Sequence, residues 1–211
     1  DMGKLAEHKA KNPVGVVTYT GNGSTNAITG LGFQPDLVWG KSRSASQSNK
    51  LIDSSRGTDK LLSSDVTNAE QSTGTYINSF DSDGFTYSSN GSNANDSGKT
   101  YVAWCWRANG GTTSSNSDGS ITSTVQANDK AGFSIITWTA TGSNGSIGHG
   151  LSAKPDFHII KKRNDSSAWG VYHKSYGATK YLRLDTNSSV STLQYLYNNT
   201  EPDATKIYLG D

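Results

Sequence analysis

Apolar and polar positions alternate with a period of two along most of the chain, the pattern of strands that bury one face. In "VGVVTYT" Val17 and Tyr19 point one way, Val16 and Thr18 the other; in "FSIITW" Ile136 and Trp138 repeat the alternation. A polar Gly/Asn/Ser segment, read as a turn or hairpin, follows each. A Pro-Asp step then opens a second strand, "LVWGK" after Asp36 and "FHIIK" after Asp156. Proline suits that place because its missing N–H removes no ladder bond. "KLIDSS" and "KLLSS" flank Gly57, and "WGVYHKS" and "KYLRLD" flank Gly177, predicting two short strands joined by a turn where glycine takes a positive φ. In "KTYVAWCWRA" Tyr101, Ala103 and Cys105 face one side and Val102, Trp104 and Trp106 the other. Apolar on both faces, this segment predicts a central sandwich strand; period-2 placement puts most of Trp39, Trp104, Trp106 and Trp138 in the core, with stacking on a sugar face as the alternative.

The two series are copies of one unit. Placing Pro35 over Pro155 without gaps also aligns Asp36 with Asp156, Lys41 with Lys161, Arg43 with Arg163, Gly57 with Gly177 and Leu62 with Leu182. "KIYLGD" falls over "GFTYS", and no counterpart of "YVAWCW" comes after it. The fold class predicted is all-β: two tandem antiparallel β-sandwiches, the second incomplete. The expected organisation is a terminal tail or arm at 1–13, sandwich repeat 1 at 14–108, a flexible polar linker at 109–118 and sandwich repeat 2 at 119–211. The missing strand is expected from a continuation beyond Asp211, with a neighbouring chain as the alternative. "MGKLAEHKAK" is the only stretch with helical character, and it reads as the end of something longer.

Composition agrees with strands. The 211 residues contain only three glutamates, Glu7, Glu70 and Glu201, whereas surface helices use glutamate heavily. A formal net charge of +1, with Lys and Arg scattered, disfavours nucleic acid as a partner, and no apolar run suits membrane insertion. The single cysteine, Cys105, excludes an intrachain disulfide framework and reads as a small buried apolar residue.

"YTGNGSTNAITGLGFQPDLVWGKSRS", "LIDSSRGTDKLLSS", "FDSDGFTY" and "YVAWCW", followed by "FSIITWTATGSNGSIGHGLSAKPDFHIIKKR" and "WGVYHKSYGATKYLRLDT", together resemble a tandem-repeat domain of tailed bacteriophage tail fibre and virion structural proteins, marine and cyanobacterial phages especially. The resemblance covers about residues 14 to 211. It implies concanavalin/SPRY-like sandwiches in a virion surface structural protein (tail fibre, spike or capsid decoration) that serves appendage assembly and host-surface contact. The partners implied are other virion proteins, a homo-oligomer, trimeric by preference, and a host-surface glycan; the implied location is the surface of the extracellular phage particle. It supplies no catalytic residues and no cofactor, so no enzyme is expected. A lectin-like carbohydrate-binding module is the first alternative and a polysaccharide depolymerase the second.

Candidate chemistry is sparse. A depolymerase needs two carboxylates across a scissile bond, and Asp53 with Asp81 or Asp83 is the pair that can be written, with no motif to fix it. His149 and His173 stand in a Ser-rich chain without a nucleophile-elbow sequence. "DSDG" and "NANDSG" offer Asp81, Asp83 and Asp96 as calcium ligands, against a reading as turns capped by their own side chains. Trp169 follows the polar run "KKRNDSSA" and reads as a loop-tip ring beside Arg163 and Asp165, with Tyr172 and His173 just downstream. Those five residues form the candidate glycan site, with a structural role for Trp169 as the competing reading. Arg43 and Arg163, with Lys41 and Lys161, are equivalent in both copies and point to something the fold itself uses, such as a salt bridge to Asp53 or to a neighbouring subunit.

Overall fold

A computed structural model describes residues 13–72, 74–89, 93–193 and 195–210. The helical expectation at the N-terminus lies outside them. The fold is all-β, with antiparallel sheets of the sandwich kind. Two compact units result, one of residues 1–64 and 70–111, the other of 65–69 and 112–211.

Unit 1 contains β1 (Val14–Thr20), β2 (Asn26–Thr29), β3 (Leu37–Ser42), β4 (Lys50–Asp53), β5 (Leu62–Ser63), β6 (Ile77–Asp81), β7 (Gly84–Tyr87) and β8 (Thr100–Trp106). One sheet has the order β1-β8-β3-β4-β5 and the other β2-β7-β6. Val17, Tyr19, Val38, Ile52, Ala103 and Cys105 of the first sheet meet Ile28, Ile77, Phe85 and Tyr87 of the second in one core. The predicted alternation of β1 and β8 is what places these side chains inside. Asn26–Thr29, expected as part of a turn, is a strand whose single buried residue, Ile28, sits opposite Phe85. Gly84 makes this pairing close, since a Cβ there would overlap the Ile28 carbonyl.

β8 is central, as predicted, but only one of its faces is core. Tyr101, Ala103 and Cys105 are buried, whereas Trp104 is 38% exposed and Val102 and Trp106 are half-buried. Among the described residues no second layer of unit 1 covers the tryptophan face.

Unit 2 contains β9 (Ser114–Asn116), β10 (Ser123–Asn128), β11 (Phe133–Trp138), β12 (Gly145–Gly148), β13 (Phe157–Ile160), β14 (Gly170–His173), β15 (Lys180–Arg183), β16 (Ser191–Thr192) and β17 (Lys206–Leu209). Its sheets run β11-β10-β9, β12-β17 and β13-β14-β15-β16. Ile147, Ile207 and Leu209 gather Ile121, Ile136, Trp138 and Ile160, while Tyr172, Ala178 and Tyr197 gather Ile160, Tyr181 and Leu196. β17 pairs with β12 as β7 pairs with β2, so the alignment of "KIYLGD" with "GFTYS" describes real equivalents. The stretch 109–118, expected as a flexible linker, is structured. Ser114–Asn116 pairs with β10, and the N–H groups of Gly110 and Gly111 are bound by Asp36.

That carboxylate holds the end of β8 in place. Asp36 is fully buried and accepts from Ala108 N (2.7 Å), Gly110 N (3.0 Å), Gly111 N (2.7 Å) and Ser54 Oγ (2.7 Å). Its equivalent in unit 2, Asp156, is exposed, and its carboxylate pairs with Lys174 Nζ at 2.6 Å. One Pro-Asp step therefore has two energetic roles. Asp36→Ala leaves the buried N–H of Ala108 and the part-buried bonds of Gly110 and Gly111 short of their acceptor and is expected to cost about 3 kcal/mol. Asp156→Ala, an exposed pair, is expected to cost about 0.5 kcal/mol or less in the same denaturant titration.

Candidate functional site

The sequence-derived glycan set does not come together as a surface site. Trp169 is 3% exposed; its Nε1 donates to the Val66 carbonyl at 3.0 Å and its backbone N–H to Asp185 at 2.9 Å. The ring is thus held by the segment 65–69, distant in sequence yet part of the same unit. Tyr172 is also buried, stacked on His158 with its hydroxyl donating to Glu201. Arg163 and Asp165 are exposed, Asp165 pairing with Lys162 at 2.9 Å, and His173 lies half-buried beside Tyr176. The two aromatic rings the reading needed are structural, so that site is withdrawn.

The calcium alternative also dissolves into turn chemistry. Asp83 accepts from Gly30 N and Gly32 N, Asp81 from Thr86 Oγ1 at 2.7 Å, and Asp96 from Gln47 Nε2 at 2.6 Å. Among the described residues no group of three or more His, Cys, Asp or Glu is placed to hold a metal. Asp53 is committed elsewhere as well, since Arg56, and not Arg43, is its cation. Arg56 Nε lies 2.5 Å from Asp53 and its Nη1 2.9 Å from Glu70, all with side chains at most 10% exposed. A buried triad of this kind serves geometry more than net stability. Cys105 is buried and unpaired, and burial pushes its thiol up to about 12.

A different cluster lies open. The outward positions of β3 and β8 place Trp39 opposite Trp104 and Leu37 opposite Trp106, and β1 adds Val14 opposite Trp106 and Val16 opposite Trp104. Val14 is 45% and Val16 57% exposed. Trp39 meets Trp104 at 6.4 Å with rings 63° apart and Trp106 at 6.4 Å with rings 33° apart. Trp39 Nε1 donates to Ser64 Oγ at 3.1 Å, which fixes the orientation of its ring. Together with Lys41 and Asn49 the three indoles line an open depression of about 410 Å³. Lys41 Nζ donates to the Gln47 carbonyl at 3.0 Å, holding the ammonium at the rim. Clustered exposed aromatics with a few polar groups are where soluble proteins bind partners.

A second irregular feature belongs to unit 2. His158 has both ring nitrogens buried without hydrogen-bond partners, between Tyr172 (4.7 Å, stacked) and Tyr197 (5.2 Å, edge-on). Burial, with a smaller effect of His149, pushes its pKa from the usual 6.5 down to about 4. The folded state then binds fewer protons than the unfolded chain between those values, so stability is full above 6.5 and falls as pH drops toward 4. Urea titrations of unit 2 signals at pH 7 and pH 4.5 are expected to show this loss, and His158→Phe to flatten it.

A family model described as a domain of unknown function (DUF7483) matches residues 11–211. No curated protein and no solved structure matches the chain.

Proposed function

The chain belongs to the DUF7483 family, and we propose that it is a non-catalytic surface module that holds a carbohydrate on the Trp39–Trp104–Trp106 face, within a virion surface structural protein such as a tail fibre. The observation that carries the reading is a cluster of three indoles, Trp104 exposed and Trp39 and Trp106 half-buried, on a sheet face whose other side is a complete core. An indole presents a flat apolar surface to the C–H face of a pyranose, while Lys41 and Asn49 at the rim supply polar contacts for its hydroxyls. Placing the rings on adjacent strands of a rigid sheet keeps their spacing fixed, so little ordering is needed on binding. The virion setting rests on the resemblance of the repeat sequences to phage appendage proteins, and polar, turn-rich sandwiches suit that setting.

A glycan array of bacterial surface polysaccharides is the direct test. Binding is expected to fall by about tenfold or more in Trp104→Ala, with a stability change of about 1 kcal/mol. Trp169→Ala is expected to cost about 3–5 kcal/mol, because it empties a buried site, and to leave glycan affinity of the folded fraction unchanged. An array without a hit, or a Trp104→Ala protein that binds like the parent, contradicts the assignment.

A further inference from the structure

Given the carbohydrate reading, on which this rests, we propose that the sugar held on the indole face is an anionic one, bearing a carboxylate or phosphate that Lys41 binds. Trp39, Lys41, Asn49, Trp104 and Trp106 line the depression, so these walls carry one cation and no carboxylate. An anionic group entering it is attracted by Lys41 and meets no like charge in the lining.

The strand register sets where that group sits. Trp39 is opposite Trp104, and one step along the same face Lys41 is opposite Val102. On the other side of β3, Gly40 pairs with Lys50, which brings Asn49 level with Lys41. The depression is therefore divided, with indoles at one end and a Lys41–Asn49 row at the other. Successive residues on one face of a strand are about 6 to 7 Å apart, a spacing that suits one sugar ring. A pyranose stacked on the indoles thus reaches Lys41 with a substituent on its ring edge, the place of the exocyclic carboxylate in a uronic acid.

The second repeat shows why Lys41 is available for this. Its equivalent, Lys161, is a fold residue: Nζ donates to the carbonyls of Thr67 (3.2 Å), Lys162 (2.7 Å) and Asp165 (3.3 Å) and to Ser167 Oγ (3.2 Å). Those acceptors occupy all three N–H groups of an ammonium. Lys41 Nζ meets one acceptor, the Gln47 carbonyl at 3.0 Å, and no carboxylate among the described residues. Gln47 is itself tethered, its Nε2 donating to Asp96 at 2.6 Å. The Lys41 ammonium is thus positioned by one bond and keeps two N–H groups for a ligand. The indoles diverge in step with the lysine, since Ile159 stands in unit 2 where Trp39 stands in unit 1. A charge-assisted hydrogen bond is roughly twice as strong as a neutral one, so an anionic sugar gains more from this site than a neutral sugar of the same shape.

The test uses the full 211-residue chain and calorimetric titration with matched bacterial polysaccharides. Uronic-acid polymers are paired with their carboxyl-reduced forms, and phosphate-bearing polymers with their dephosphorylated forms. The anionic member is expected to bind about tenfold tighter, with a gap that shrinks at high salt. A gap in the carboxyl pairs identifies a uronic acid and a gap in the phosphate pairs a sugar phosphate; either upholds the proposal. Lys41→Gln is expected to shrink the gap to about twofold or less, Lys41→Arg to retain most of it, and Lys161→Gln to leave it as in the parent. Neutral forms that bind as tightly as anionic ones, or a gap that survives Lys41→Gln, would overturn the proposal and leave the carbohydrate reading standing. Failure of every polysaccharide to bind, charged or neutral, would remove the carbohydrate reading and the proposal with it.

Discussion

A strand in the middle of a sheet must satisfy hydrogen bonds on both edges, and β8 is the strand on which unit 1 relies for this. It joins the first strand of the unit to the third, and it contributes Tyr101, Ala103 and Cys105 to the core. Asp36 then binds the chain where it leaves the sheet. Each backbone bond has a modest net worth, but an unmade one in a buried place is costly. Cooperative closure by one strand therefore holds the first and third strands in one sheet, and the open tryptophan face is the reverse side of that sheet.

The repeat sets the same local chemistry in a second unit. Pro-Asp, the Gly-containing turn and the paired short strands recur in unit 2, and β12 with β17 reproduces β2 with β7. Among the described residues the β11 and β13 strands have no shared neighbour. Side chains have diverged accordingly: Asp156 lies at the surface, and His158 replaces an aliphatic residue with one whose polar atoms lack partners.

Much of this was legible in the sequence because strand periodicity and turn residues are local signals. The alternation in Val14–Thr20 and Thr100–Trp106, the Pro-Asp strand starts and the positive φ of Gly57 and Gly177 all follow from neighbours a few residues away. Asn26–Thr29 was hidden because its single buried residue, Ile28, makes no pattern. Trp39, Trp104 and Trp106 were misassigned, while Trp138 does pack on a core, because alternation says which residues share a face, not which face another layer covers. Trp169 looked like a loop tip because it follows a polar run; its cover, Val66 in the segment 65–69, comes from a distant part of the chain that no local pattern links to it. Arg56 outcompeted Arg43 for Asp53 for a similar reason: the two residues sit across one tight turn, where Arg56 also donates to Leu51 and Glu70.

Residue-resolved amide hydrogen exchange on the chain by itself tests most directly whether the two units differ by one closing strand. Trp39 and Lys41, bonded to β8, should exchange at rates set by opening of unit 1 as a whole, and Phe157 and Ile159 at rates close to those of exposed loops. Equal, strong protection at the two pairs of sites would mean that β13 already has a partner on its second edge, and the account would fail.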